Sequence, residues 1–191
     1  MRRRAFDAIV SWVGVVVTAA LLVAGALLMW GYAFANSNVH NELAAQQIHF
    51  PAAGSPALAS SDIGPFLNKY AGQQLVNGAQ AKAYADHFIA VHLKEAAGGQ
   101  TYAQVSAKAQ ANPTDATLKA QVDTLFRGET LRGLLLNAYA FWFIGQLALL
   151  GAIVAFIMSG VAGVLTSLGF RHSKKVSPHQ TMLTPTVPAA A

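Results

Sequence analysis

Two long stretches without a single Asp, Glu, Lys or Arg, Ala8–Trp30 and Gly133–Phe170, constrain this chain more than any other feature. A helix of about 20 apolar residues crosses the hydrocarbon core of a bilayer, and both stretches exceed that length. Residues 31–132 between them differ in composition, being polar and rich in alanine. The expectation is an all-α protein with two transmembrane helices flanking an extracytoplasmic helical domain. The boundaries follow from composition: residues 1–7 form a cytoplasmic N-terminus, 8–34 the first transmembrane helix and 35–132 the helical domain. Residues 133–170 form the second transmembrane helix with its outer extension, and 171–191 a disordered cytoplasmic tail.

Charge placement sets the orientation. Arg2, Arg3 and Arg4 precede the first span, and Arg171, Lys174 and Lys175 follow the second. Basic residues beside spans stay on the cytoplasmic side, so both termini are expected in the cytoplasm and the central domain outside it. The net charge of +5 comes from these flanks, because Lys and Arg nearly balance Asp and Glu between the spans. A nucleic-acid partner would require a basic stripe on the folded domain, and none is visible. The chain has no cysteine, which excludes disulfides, thiolate metal sites and cysteine nucleophiles. An exported domain of this kind then depends on helix packing, on its membrane helices or on a partner.

The first apolar stretch has a competing reading as a signal peptide. Ala33-Phe34-Ala35 places small residues two apart, the pattern that signal peptidase reads, with cleavage after Ala35. The stretch is far longer than the 7–15 residues of a signal core, and Trp30, Tyr32 and Phe34 cluster at its outer end as interfacial aromatics do. A retained span is therefore expected. The second stretch would measure about 57 Å as one helix at 1.5 Å per residue, too long for hydrocarbon alone. Tyr139, Phe141, Trp142 and Phe143 mark its outer interface, Ile144 to about Leu165 its core, and Gly133–Ala138 an extension into the domain. Gly151, Ala155, Ser159, Gly163 and Ser167 recur every four residues, a ladder of small side chains against which another helix can pack closely. Its partner is either the first span, which offers an Ala20–Ala24 pair, or a second copy of the chain.

Within the domain, the first helix continues from Asn36 to about Gln47 and breaks at Phe50-Pro51-Ala52-Ala53-Gly54-Ser55-Pro56, since proline and glycine do not propagate a helix. Asp62 and Pro65 suit a helix start as cap and first-turn residue. A helix from Ala79 to about Ala97 follows Asn77-Gly78, with an apolar face of Ala81, Tyr84, Ala85, Phe88 and Val91. Another runs from Thr101 to Gln110 and stops at Asn112-Pro113. The next begins near Thr114, with Leu118, Val122 and Leu125 on one side and Lys119, Asp123 and Arg127 four apart on another. From Ser173 the chain has too little apolar content to fold.

Chemistry is sparse. His40, His49, His87 and His92 fall between the spans, and histidine is the commonest metal ligand and proton shuttle. His87 and His92 lie five apart, about 140° around an α-helix, whereas a zinc-binding pair such as HExxH needs four-residue spacing. Nucleophile elbows, Walker loops and dinucleotide fingerprints are absent, and Asn137 and Gln146 read as neutral contacts between helices. No catalytic, cofactor-binding or metal residue is assigned. No charged side chain lies within either hydrocarbon core, which argues against a proton relay built by this chain alone.

Lys69-Tyr70-Ala71-Gly72-Gln73-Gln74, the run Ala81-Lys82-Ala83-Tyr84-Ala85-Asp86-His87-Phe88-Ile89-Ala90-Val91-His92-Leu93, and Leu131-Arg132-Gly133-Leu134-Leu135-Leu136-Asn137-Ala138-Tyr139-Ala140-Phe141-Trp142 resemble a group of small, uncharacterised two-span membrane proteins of actinobacteria. The likeness covers most of the chain and implies a location and a topology. Members often carry an automatic label of aromatic ring-opening dioxygenase, a chemistry that needs iron held typically by two histidines and a carboxylate. The histidine spacing above supplies no such set. The leading expectation is a non-catalytic interaction or assembly subunit of a membrane complex, with the lipid bilayer and either a membrane protein or a second copy as partners. An oligomeric pore or transport accessory is the alternative, and a metal-dependent enzyme or sensor using His87 and His92 the third.

Overall fold

The computed structural model describes residues 2–177, and these are helical apart from turns and one isolated antiparallel bridge between His49 and Gln74. The protein is all-α. Helix α1 spans Arg3–Ala45, α2 Pro56–Ala59 and α3 Gly64–Leu67, the last followed by a 3-10 turn at Asn68–Tyr70. Helix α4 (Gly78–Tyr84) passes through a π-turn (Ala85–Ile89) into α5 (Ala90–Ala96). Helices α6 (Tyr102–Ala111) and α7 (Ala116–Lys175) follow, the last among the described residues. Two helices, α1 and α7, are long and apolar enough to cross a membrane.

Local chemistry sets most boundaries. Helix α1 stops where Gln47 takes a left-handed backbone, φ 53°, and the Gln74 Nε2 donates to the Ala44 carbonyl at 2.8 Å, satisfying one of the acceptors that a helix end leaves open. The Asn77 side chain caps α4 by accepting from the Gln80 N–H at 2.9 Å, and Thr101 with Gln104 forms a reciprocal capping box on α6. The Asp115 carboxylate accepts from the Thr117 and Leu118 N–H groups at the start of α7. Ile63, not Asp62, is the capping residue of α3. The sequence divides residues 114–170 into a domain helix and a separate span, but α7 runs unbroken for 60 residues. It contains no proline, and each glycine costs only about 1 kcal/mol relative to alanine. The helix also carries through Ser173–Lys175, where an unfolded tail is expected, while residues 178–191 of that tail lie outside the described residues.

The chain divides into two compact units. The first joins α1 up to Gly31 with α7 from Leu147. Its two helix segments run antiparallel, as the order of their contacts shows: Asp7 lies 4.0 Å from His172, Trp12 packs edge-on to Phe170 at 5.9 Å, and Leu28 lies beside Gly151. Large apolar side chains point outward, among them Val16, Leu27, Ile157 and Leu165. Of the most apolar 18-residue windows of α1 and α7, only 6% and 17% are buried.

The second unit, Tyr32–Gln146, packs in the opposite sense. Val39, Leu43, Phe50, Leu58, Ile63, Leu67, Leu75, Ile89, Leu93, Val105, Leu125 and Leu135 form one buried cluster, with Leu67 and Leu75 fully enclosed. Backbone bonds from Phe50 N–H to Gln73 O and from Leu75 N–H to Ile48 O hold the proline-rich loop against it. The buried Gln80 amide is satisfied: its oxygen accepts from the Val76 N–H at 2.8 Å and its nitrogen donates to Gln73 Oε1 at 3.2 Å.

Candidate functional site

Two places gather polar or small residues in a way that bears on function: the seam between the helices of the first unit and an open pocket beside the π-turn of the second. The seam is lined on α1 by Ser11, Gly14, Thr18, Leu21 and Gly25, all buried or half-buried. On α7 it is lined by Ala152, Ala155, Ser159, Ala162, Thr166, Gly169 and Ser173, likewise buried or half-buried. Both series alternate steps of three and four, the 3.5-residue period that keeps one stripe facing a partner helix. A Cβ added at Gly14 would collide with Thr166 Oγ1, and one at Gly25 would lie 2.8 Å from the Phe156 ring. The Ser159 hydroxyl donates across the seam to the Thr18 carbonyl at 3.1 Å.

The four-residue ladder on α7 enters this seam only in part. Ala155 and Ser159 are buried in it, and Gly151 and Gly163 lie at its edges near Leu28 and Thr18. Ser167 is turned outward and donates to its own helix at Gly163 O. A strict four-residue step overshoots alignment by about 40° on an α-helix, so five members sweep about 160° and cannot stay on one contact line. The Ala20–Ala24 pair on α1 faces away from the seam, because these positions lie about 100–140° around the helix from Gly25. Searching for three–four alternation rather than repeated fours would have found the facing residues.

The aromatic residues assigned to a membrane interface fall in different surroundings. Trp30 is exposed, and Tyr32 and Tyr139 are half-buried. Tyr139 packs on Trp142 and Phe143 at 6.2 and 5.9 Å, with the Lys82 ammonium 5.2 Å above its ring. Trp142 packs on the domain core directly over Gly78, where any Cβ would meet the indole.

The pocket follows from the π-turn. Ala81, Ala85, Ile89, Leu93 and Ala97 are buried at every fourth position. On an uninterrupted α-helix these would spiral away from one another, but the wider π-turn takes up an extra residue and winds the stripe back. The apolar face expected from α-periodicity, which continues through Phe88 and Val91, therefore shifts by one residue beyond the turn. Ile89 and Leu93 take the core positions, and Phe88 and Val91 only flank it. Tyr84 stays with the core, packed on Phe50 and Phe88, and burial raises its hydroxyl pKa above the ordinary value.

The same turn directs Asp86 and His87 into an open pocket of about 670 Å³, lined also by Asp62, Phe66, Lys94 and Glu95. The His87 ring lies flat on Phe66, 3.6 Å between centroids and 5° from parallel. Asp86 is held by Lys82 at 2.5 Å and by Arg132 of α7 at 3.6 Å, and Arg132 reaches Glu129 at 3.3 Å. This charge network ties the π-turn to the long helix and holds the Asp86 carboxylate, next to His87 in the chain, in an ion pair. Local periodicity could not reveal the partnership of Phe66 and His87, which come from separate helices.

The four histidines of the domain occupy separate environments. His87 stacks in the pocket, while His92 lies on Phe88 and bonds the Phe88 carbonyl at 2.7 Å. The His49 ring nitrogen bonds the Gln47 carbonyl, and His40 is exposed on α1. Among the described residues no three His, Cys, Asp or Glu side chains group as metal ligands. The arrangement can offer a flat aromatic–imidazole wall and mixed charge to a small solute or a protein side chain. No family model, curated protein or solved structure matches this chain.

Proposed function

We propose that this chain is a two-span protein of the bacterial cytoplasmic membrane that holds its helical domain on the extracytoplasmic side and acts there as an interaction or assembly subunit. The observation that carries this reading is the inverted packing of the first unit. Its small and hydroxyl-bearing residues face inward, and its Val, Leu, Ile, Phe and Met side chains face outward. A core helix of a water-soluble protein would bury its apolar windows, whereas here nearly all of that surface awaits an apolar solvent. The Ser159 hydroxyl bonds across the seam to the Thr18 carbonyl, and Ser11 and Thr18 bond to their own helix, which suits hydrocarbon surroundings where unpaired polar groups are costly. The antiparallel hairpin also brings Arg2–Arg4 and Arg171 with Lys174 and Lys175 to one end, as the positive-inside rule requires of a cytoplasmic end. The domain buries an apolar cluster of its own, and the uncharged spans suit anchoring and helix packing.

The topology is testable because the chain has no native cysteine. Ala103→Cys on α6 should react with a membrane-impermeant maleimide added to intact cells, and Ser177→Cys only after permeabilisation. The reverse pattern would overturn the orientation, and release of the protein by alkaline carbonate would overturn the spans. For the assembly role, native mass spectrometry after mild-detergent extraction should find the chain bound to another membrane subunit or to itself. A bare monomer under conditions that preserve known membrane complexes would count against that role.

A further inference from the structure

We propose that the second unit holds an acyl chain of a membrane phospholipid in a trench between α1 and α7, drawn above the plane of the bilayer. This inference rests on the membrane reading above. The trench has a volume of about 450 Å³ and lies between the α1 segment Asn38–Gln46 and the α7 segment Leu131–Phe141. Its α7 wall is mainly apolar, with Leu131, Leu134 and Phe141 all exposed and Leu134 at 62%, and it carries one amide, Asn137. The α1 wall carries a polar rim of Asn38, Glu42 and Gln46 above the apolar floor of Val39 and Leu43.

Size selects the occupant. Leu131 to Phe141 covers about 15 Å of helix at 1.5 Å per residue, so the volume gives a mean cross-section of about 30 Å². A helix with side chains is about 10–12 Å across, or about 80–110 Å² in section, and would stand largely outside a trench of this section. A single hydrocarbon chain, about 4–5 Å across at carbon contact distance, fits it.

Continuity selects the source. The trench ends at Phe141, whose ring pairs edge-on with Phe34 at 6.3 Å, and both rings stand exposed. Farther along α7, Ile144, about 60° around the helix from Phe141, continues the exposed apolar surface into the stretch assigned to hydrocarbon. A chain leaving the outer leaflet thus meets the apolar side chains of Ile144, Phe141, Ala138 and Leu134 in turn, with the Asn137 amide beside them. The amides and the Glu42 carboxylate at the rim fit the level of the glycerol and headgroup, where hydrogen-bonding partners are needed.

The test uses the full chain reconstituted in vesicles of phosphatidylethanolamine and phosphatidylglycerol, doped with a phospholipid carrying a photoreactive diazirine on its acyl chain. Crosslinks should map to Leu131–Phe141 as well as to the span, and Leu134→Arg should reduce the trench crosslinks at least fivefold while leaving those at Ile153–Leu165 unchanged. Leu134→Trp, which fills the trench without adding charge, should give the same loss and guards against an effect of the arginine on folding. Crosslinks confined to the span would overturn the proposal. So would efficient disulfide dimers of Leu134→Cys with no lipid adduct, which would assign the trench to a second copy. Carbonate extraction of the same vesicles reads the membrane assignment separately: release of the protein overturns that assignment, whereas retention without trench adducts overturns only the lipid site.

Discussion

The two ends of helix α7 are built on opposite rules. In the domain it buries large residues, Leu125 and Leu135, against other helices. Beyond Leu147 it buries Ala152, Ala155 and Ser159 and turns Ile153, Ile157 and Leu165 outward. One continuous helix therefore carries two packing patterns, which under the proposed membrane reading answer to two solvents. In water, burial of a Leu or Ile side chain contributes about 1.5–3 kcal/mol, so large residues go inside. In hydrocarbon that driving force between helices vanishes and close backbone approach through small residues takes its place.

Truncating a core residue should expose this difference most strongly. Leu75→Ala in the domain is expected to destabilise it by about 2–5 kcal/mol, a lost side chain plus a cavity. Leu165→Ala on the outer face of the hairpin should change packing stability by less than about 0.5 kcal/mol. Thermal melts of both variants in the same detergent make the comparison, and equal losses would break it. Enlarging the seam is the complementary change. Gly14→Leu drives a side chain into Thr166 and should cost about 1–3 kcal/mol by overpacking, with Thr166→Ala restoring part of the loss. The readout is disulfide formation between Asp7→Cys and His172→Cys at the hairpin end, which should slow several-fold with Gly14→Leu present.

Smaller effects sharpen the contrast. Thr101→Ala removes a water-exposed capping box and should lower domain stability by about 1 kcal/mol, seen as faster amide exchange along α6. Ser159→Ala removes one bond across the seam, for which about 0.6 kcal/mol is expected because the separated helices find other partners; disulfide trapping at the hairpin end should change only slightly. Tyr84 gives the mildest prediction, confined to alkaline pH. Its raised pKa means that the folded domain holds the phenolic proton more tightly than the unfolded chain does. Its contribution is thus constant below pH 10 and is lost as pH rises through the folded value. Tyr84→Phe should flatten that alkaline decline in a pH series of melts.

Much of this was legible from residues close in sequence. The uncharged stretches mark both long helices, Pro51 to Pro56 and Asn112-Pro113 mark breaks, and Asn77 and Thr101 lie where helices start. These features act within one or two turns, so local pattern suffices to read them. The continuity of α7 was less legible, because Gly128 and Gly133 resemble weak points. At Gly128 the missing side chain makes room for Leu93, a contact between residues 35 positions apart.

By itself the sequence determined the helical class, the two apolar segments, the basic residues at their ends and most of the breaks between helices, since each depends on composition or on neighbours along the chain. Tertiary structure decided which small residues line the seam, turning Ser11, Gly14, Thr18 and Gly25 inward and Ala20 and Ala24 outward. It also decided how the π-turn shifts the buried face from Phe88 to Ile89, and how Phe66 meets His87. The physical reason is common to all three. A helix's periodicity gives the angle between its own residues, but the direction that counts as inside is set by the helices packed against it.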